Sequence, residues 1–144
     1  MDLLLAEKIS RLGEYLEYLE ELKNCSLEDY LSDYKIRGAS ERFMQLAIES
    51  IIDIGNEVIS VLKLKRAERY RDIPLILAKN RIITEDLAEE ISQMIGFRNI
   101  LVHDYASIDI RLEHRFLQTR LVDFYEFKEQ IIEWLKTRPL KEEG

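Results

Sequence analysis

Apolar residues recur every three or four positions along nearly the whole chain, and this spacing constrains the fold more than any other feature. It predicts a first helix that ends near Asn24, with one face formed by Leu5, Ile9, Leu12, Leu16 and Leu19. No stretch alternates as a half-buried strand would, and no apolar run is long enough to span a membrane. We therefore expect an all-α protein, an antiparallel up-and-down bundle of four or five helices.

Capping residues and breaks predict where the other helices begin and end. Ser26 with Asp29 predicts the start of a short extension. Gly38 and Ser40 predict a break before a second helix, whose inner face comprises Phe43, Leu46, Ala47, Ser50, Ile51, Ile54, Val58 and Val61. A short third helix is predicted from Asp72 and Pro74 to Lys79, and a fourth from Thr84. A fifth is predicted from Asp109 to Arg138, with a buried stripe of Ile110, Leu117, Leu121, Phe124, Phe127, Ile131 and Trp134.

Composition narrows the class of protein. A chain of 144 residues with 47% hydrophobic and 34% charged residues predicts a single domain over 1–144, with 138–144 as a frayed tail. Cys25 is the only cysteine, which excludes an intramolecular disulfide and a cysteine-based zinc site. The N-terminus shows no signal-peptide pattern, so we expect a cytoplasmic protein. A net charge of -7 argues against constitutive, tight binding of nucleic acid, but not against a local basic site.

One charged residue interrupts the apolar seam of the fourth helix. Arg98 follows the seam residues Leu87, Ile91 and Met94 and precedes Leu101. A guanidinium in such a position is costly unless it is paired or faces a cleft. His103 would lie roughly 140° around a continuing helix from Arg98, so either the helix loosens before His103 or another element completes a site. The alternative, which spacing alone favours, is an Arg that reaches the surface beside a structural His and Tyr.

The segment from Gly96 to Tyr105 resembles the signature of the HepT-like branch of HEPN proteins, R-x-x-x-x-H-x-Y, here Arg98, His103 and Tyr105. The blocks 41–49 and 51–55 on the second helix also resemble that family. The resemblance implies a bundle that dimerises through the motif-bearing helices. It also implies a metal-independent ribonuclease, the toxin of a toxin–antitoxin pair. The implied antitoxin is a minimal nucleotidyltransferase (MntA-like), which inactivates the toxin by transferring AMP to Tyr105.

The motif residues suit metal-free cleavage of RNA, in which the 2′-hydroxyl attacks the adjacent phosphate. The reaction needs a base, an acid and a cation that stabilises the phosphorane. An imidazole titrates near pH 6.5, so His103 suits the first two roles, and the planar guanidinium of Arg98 suits the third. A two-fold dimer would supply two copies of His103. We expect neither a metal nor a cofactor.

Several further residues are candidates for support or substrate contact. Asn99 and Asp104 lie within the motif segment. Arg42, Glu49 and Asn56 recur every seven residues, so they either face the Arg98 cleft or form an exposed salt-bridged stripe. Arg111, His114 and Arg115 form a patch that either holds phosphate or, as base rates favour, is a solvated helix face. A basic run either contacts RNA or a partner or, as is favoured, forms a charged helix end and loop: Lys63, Lys65, Arg66, Arg69 and Arg71. Four tyrosines are more often packing than base-stacking residues and are given no role: Tyr15, Tyr18, Tyr30 and Tyr34.

Three functions compete at this point. The first is the ribonuclease toxin. The second is a non-catalytic helical subunit that binds a nucleotide or a nucleotidyltransferase partner, which the acidic charge favours. The third is a purely structural dimerisation bundle, which does not explain why a charged residue, Arg98, lies on the apolar seam. Growth arrest on expression of the chain alone would select the first.

Overall fold

The structure is a computed structural model that describes residues 2–103 and 109–138, without the side chains of Ile100, Val102 and His103. This part of the chain contains a 3₁₀ turn at Tyr70–Asp72 and seven α-helices: α1 (Leu3–Lys23), α2 (Leu27–Ser32), α3 (Tyr34–Val61), α4 (Ile73–Lys79), α5 (Glu85–His103), α6 (Ile110–Thr119) and α7 (Leu121–Thr137). Among the described helices, none is both long and apolar enough to cross a membrane.

Four long helices form the bundle. Helix α1 packs on α3, α3 on α5, α5 on α7 and α7 back on α1, so the apolar stripes of all four meet in one core. The five leucine and isoleucine residues predicted for the inner face of α1 are all buried. The short α4 covers α3 and α5, while α2 and α6 pack on each other and on α3. The predicted all-α bundle is therefore confirmed.

The break predicted at Gly38 and Ser40 is wrong, because both residues lie inside the continuous helix α3. The helix begins one turn earlier, where Asp33 Oδ1 accepts hydrogen bonds from Lys35 N at 2.9 Å and Ile36 N at 3.4 Å. One internal glycine costs a helix only about 1 kcal/mol, which the packing of a helix of this length offsets.

The predicted fifth helix is two helices, α6 and α7, that meet at Arg120. Arg120 leaves helical geometry with φ -108° and ψ 0°, and its Nε donates to Asp123 Oδ2 at 2.8 Å. Leu117 and Leu121 remain buried on either side of the break. Neither glycine nor proline marks the position, so the apolar periodicity predicted one continuous helix.

Three predicted helix starts are confirmed, two of them by capping side chains. Ser26 Oγ accepts from Asp29 N at 3.0 Å, and Thr84 Oγ1 accepts from Leu87 N at 3.2 Å. Helix α4 starts directly after Asp72, as predicted, although the Asp72 side chain makes no capping hydrogen bond. At Gly55 of α3 a Cβ atom would clash with Ile73 Cγ2, so only glycine allows α4 to approach this closely. That approach brings the turn at Tyr70–Asp72 beside the α3–α5 interface.

Candidate active site

The seam of α5 carries Arg98 as predicted. Leu87, Ile91, Met94 and Leu101 are all at most 5% exposed, and Arg98 lies on the same stripe with 18% of its side chain exposed. A guanidinium is therefore held at the edge of the core between α3 and α5, where solvent still reaches it.

Helix α3 supplies the main partner of Arg98. Its Nη2 donates to Glu49 Oε2 at 3.0 Å, and Gln45 Nε2 donates to the same oxygen at 3.1 Å. Arg98 Nη1 donates to Asn99 Oδ1 at 3.3 Å. Arg98 Nε is buried and has no hydrogen-bond partner in the described part of the chain. Among the described residues only two of the five guanidinium N–H donors of Arg98 form hydrogen bonds, so this side chain retains capacity for an anion.

A cleft of about 450 Å³ opens over this ion pair. Its walls are largely polar, and they include Arg11, Glu49, Asp53, Asn56, Tyr70 and Arg98. The Tyr70 ring centroid lies 5.7 Å from Arg98 Cζ, within the range of a cation–π contact. Tyr70 is 51% exposed, so an aromatic ring at the rim adjoins a guanidinium at the base. Such a site suits a phosphate attached to a planar group.

The other motif residues lie at or beyond the end of α5. The backbone is helical through His103, so the helix does not loosen before that residue. On an ideal helix the Cα atom of His103 is then about 140° around the axis from that of Arg98. The side chain of His103, and Asp104 and Tyr105 altogether, lie outside the described residues. Their predicted roles stay predictions.

The three residues spaced seven apart on α3 do not share one environment. Glu49 pairs with Arg98 and Asn56 lines the same cleft, as the first interpretation predicted. Arg42 is exposed and does not line that cleft, and it forms no salt bridge in the described part of the chain, so it fits neither interpretation in full. Asn99 is exposed and touches the site only through its bond to Arg98.

The Arg111, His114 and Arg115 patch does not face solvent as one surface. Arg111 and Arg115 are exposed, but the His114 ring lies 5.3 Å from the Tyr30 ring. His114 Nε2 is 3.0 Å from the carbonyl oxygen of Cys25, to which it donates when that nitrogen carries the proton. His114 thus packs between α2 and α6, away from the two arginines.

A second polar cluster, which the sequence did not reveal, is sealed in the core between α2, α3 and α6. Glu113 is 0% exposed and accepts a 2.9 Å hydrogen bond from the hydroxyl of Tyr30, itself 0% exposed. Burial, reinforced by the nearby carboxylate of Glu41, raises the pKa of Glu113 to about 8. Glu113 Oε2 has no hydrogen-bond partner in the described regions, which a neutral, protonated carboxyl tolerates better than a carboxylate.

Within residues 2–103 and 109–138 no group of three or more His, Cys, Asp or Glu side chains is arranged to hold a metal ion.

Comparison with known proteins gives matches over most of the chain. A family model described as "Ribonuclease HepT-like" matches residues 12–131. A tRNA nuclease HepT from Aphanizomenon flos-aquae is 36% identical over 71% of this chain and 69% of its own length. An mRNA nuclease HepT from Shewanella oneidensis is 26% identical over 88% of this chain and 95% of its own.

A solved structure matches as well. The tri-AMPylated Shewanella oneidensis HEPN toxin in complex with MNT antitoxin superposes with a TM-score of 0.85 at 26% identity, covering 92% of this chain and 99% of that one. The residues matched by the family model, 12–131, include the segment that carries Arg98.

Proposed function

The chain belongs to the ribonuclease HepT-like family, and we propose that it is the toxin of a toxin–antitoxin pair that cuts RNA at Arg98 and His103 of a two-fold dimer. Family membership confirms the resemblance stated from the sequence and the prediction of a ribonuclease. The Arg98 site is the observation that supports the catalytic assignment: a guanidinium on an apolar seam, with three of its five N–H donors unpaired among the described residues, at the base of a polar cleft.

The proposed reaction is a transesterification. The 2′-hydroxyl of RNA loses its proton to one His103 and attacks the adjacent phosphorus. The bond from phosphorus to the 5′-oxygen breaks, and a second His103 donates a proton to that oxygen. The products are a 2′,3′-cyclic phosphate and a 5′-hydroxyl. Arg98 donates to the phosphorane oxygens, where negative charge develops.

Two copies of the chain are proposed because one copy provides a single motif histidine. The continuity of α5 supports this, since an unbroken helix separates Arg98 and His103 around its axis instead of gathering them on one face. A two-fold axis near the ends of the α5 helices would bring Arg98 of one copy towards His103 of the other. The proposed dimer then acts in the cytoplasm, where its substrate is found.

Control by a nucleotidyltransferase antitoxin is the second part of the proposal, supported by the similar toxin that is AMPylated and bound to its antitoxin. The Tyr105 oxygen attacks the α-phosphorus of ATP, pyrophosphate leaves with Mg²⁺, and the phenolic proton passes to solvent. A phosphate on Tyr105 would compete with RNA phosphate for Arg98. A phenol with a pKa near 10 is a poor base at neutral pH, which favours this regulatory role.

The test is cleavage of total cellular RNA by purified protein in EDTA. His103→Ala should lower the rate by about 10²- to 10⁴-fold while the protein stays folded, whereas Lys136→Ala, on the exposed surface of α7, should cut at the wild-type rate. Equal rates for His103→Ala and wild type would refute the mechanism. Failure of the wild type to cut RNA or arrest growth would favour the non-catalytic binding subunit.

The AMP transfer is tested separately, by intact-mass measurement of the chain co-expressed with its neighbouring nucleotidyltransferase. We expect one or more added AMP units on the peptide that contains Tyr105, and none in Tyr105→Phe. Neutralisation without any mass change would refute the modification and leave the ribonuclease intact.

A further inference from the structure

The connection between α3 and α4 is the most basic stretch of the chain. Residues 63–71 contain five of the 21 Lys and Arg residues and only one of the 28 Asp and Glu residues. All five basic residues are exposed, and none forms a salt bridge in the described part of the chain. A positive stretch on an otherwise acidic surface concentrates polyanions at one place.

The backbone of this basic loop is fixed at both ends. Helix α3 closes with a Schellman motif, in which Lys63 N donates to Ser60 O and Leu64 N donates to Ile59 O, each at 3.0 Å. Lys63 occupies the left-handed region at φ 58°, a conformation that a side chain other than glycine adopts at a cost. At the other end Ser92 Oγ donates to Arg71 O at 3.2 Å, which joins the loop to α5. The backbone of the loop is therefore anchored to α3 at one end and to α5 at the other.

That position adjoins the Arg98 cleft. Arg71 lies against Gly96 of α5, where an added Cβ would be 3.5 Å from the guanidinium carbon. The next residue along the loop from Arg71, Tyr70, contacts Arg98 at 5.7 Å and is 51% exposed. The basic loop thus leads directly to the proposed phosphate-binding Arg98, with an exposed aromatic ring where they meet.

We propose that residues 63–71 form the substrate track of this protein, a binding surface for single-stranded RNA. Tyr70 stacks on the base beside the phosphate held by Arg98, while Lys65, Arg66 and Arg69 pair with the phosphates that follow. Stacking with flanking cations is the usual chemistry of single-strand binding, and it tolerates any base. This inference rests on the proposed function, because it takes the Arg98 cleft as the site of cleavage.

RNA is favoured over an acidic protein partner because of the aromatic ring. A docking surface for carboxylates needs only the exposed Lys and Arg residues, whereas Tyr70 packed on Arg98 inside a polar cleft suits a planar base joined to a phosphate. The chain has a net charge of -7, so most of its remaining surface repels phosphates, which favours this stretch as the path of the RNA.

The experiment measures binding of a fluorescein-labelled 2′-O-methyl RNA oligonucleotide, which cannot be cleaved because it has no free 2′-hydroxyl. Tyr70→Ala should weaken binding at least about tenfold, and Tyr70→Phe should restore most of it. Lys65→Glu with Arg66→Glu should weaken binding and reduce the slope of log K against log salt by about 0.7 for each lost phosphate contact. Lys35→Glu with Lys136→Glu changes the net charge equally on other exposed surfaces and should bind as wild type does.

Cleavage of unmodified RNA gives a second readout. Tyr70→Ala should raise KM with little change in kcat, because it removes binding and not chemistry. If wild type cuts RNA but the loop variants bind and cut as it does, the track is refuted and the ribonuclease stands. If the loop variants still bind RNA but no longer bind the nucleotidyltransferase, this surface is a protein interface and the track is refuted. A wild type that neither binds nor cuts RNA would refute both proposals.

Discussion

The two halves of α3 each contribute to a polar cluster at the edge of the same core, and the two clusters differ in their access to water. The first half contributes Glu41 to the sealed cluster of Tyr30 and Glu113. The second half contributes Glu49 to the open pair with Arg98, where both side chains keep solvent contact at 34% and 18% exposure. Each cluster contains an unpartnered polar atom among the described residues, so that feature alone does not identify a binding site.

Solvent access explains what each cluster can do. In the sealed cluster a ligand cannot reach the unpartnered oxygen of Glu113, and the carboxyl lowers its cost by keeping a proton. At the open pair a ligand can enter through the cleft and reach the guanidinium of Arg98. A buried acid therefore affects stability and its dependence on pH, whereas a cationic group below a cleft contributes to binding.

The largest expected effect is on catalysis at the open pair. Arg98→Lys should slow RNA cleavage by about 10²- to 10³-fold, because a single ammonium cannot pair with Glu49 and also present a fork to a phosphorane. Arg37→Lys is the matched change at the sealed cluster, where Arg37 Nη1 donates to the carbonyl oxygens of Tyr30 and Leu31 at 2.9 and 3.1 Å. It should lower the melting temperature with the cleavage rate nearly unchanged. An equal loss of cleavage rate in both variants would contradict the assignment of catalysis to the open pair alone.

The next effect is a dependence of stability on pH at the sealed cluster. Because the pKa of Glu113 is raised to about 8, the folded state holds a proton that the unfolded chain releases above its ordinary carboxyl pKa. Stability from this group is therefore present at low pH and is lost as the pH rises towards 8, by at most about 1.4 kcal/mol per pH unit. Glu113→Gln, which keeps an acceptor for Tyr30, should flatten this slope and be the more stable protein at pH 8.

Urea unfolding at pH 5 and pH 8 measures that difference. Glu133→Gln is the control, because it removes one negative charge from α7 at a position with 67% exposure. It should preserve the wild-type slope. A Glu113→Gln protein whose stability still falls with pH as steeply as the wild type would mean that another group causes the dependence.

The sequence predicted the open site better than the sealed one for a physical reason. Arg98 breaks an apolar seam, and a charge on such a stripe is visible in the residue order alone. Glu113 sits beside Leu112 and His114 on a short helix, where nothing local distinguishes a buried acid from an exposed one. Tyr70 was missed because its contact with Arg98 depends on how α4 docks, which is set by the close approach at Gly55.

The accuracy of the predicted helix boundaries also depended on whether the signal in the sequence is local. The starts at Ser26 and Thr84 were predicted correctly because each is marked by a local capping side chain, whereas the cap at Asp33 was missed because Gly38 and Ser40 suggested a later start. The break at Arg120 depends on the ion pair with Asp123 and on packing by two separate helices, so periodicity could not locate it. Gly38 caused the opposite error, a predicted break inside a continuous helix, because a glycine marks a helix end only when the chain turns there.

The smallest expected effect concerns that glycine. Gly38 lies in the first half of α3, where an added Cβ would meet nothing within 4 Å, so Gly38→Ala should stabilise the protein by about 0.5–1 kcal/mol through helix propensity. Gly55→Ala, in the second half, should destabilise it, because the new methyl clashes with the buried Ile73. Since that clash shifts α4 and the turn that holds Tyr70, it should also weaken RNA binding. Thermal unfolding with an RNA-binding assay measures both effects. A Gly55→Ala protein with lower stability but unchanged RNA affinity would separate the α3–α4 contact from the placement of Tyr70.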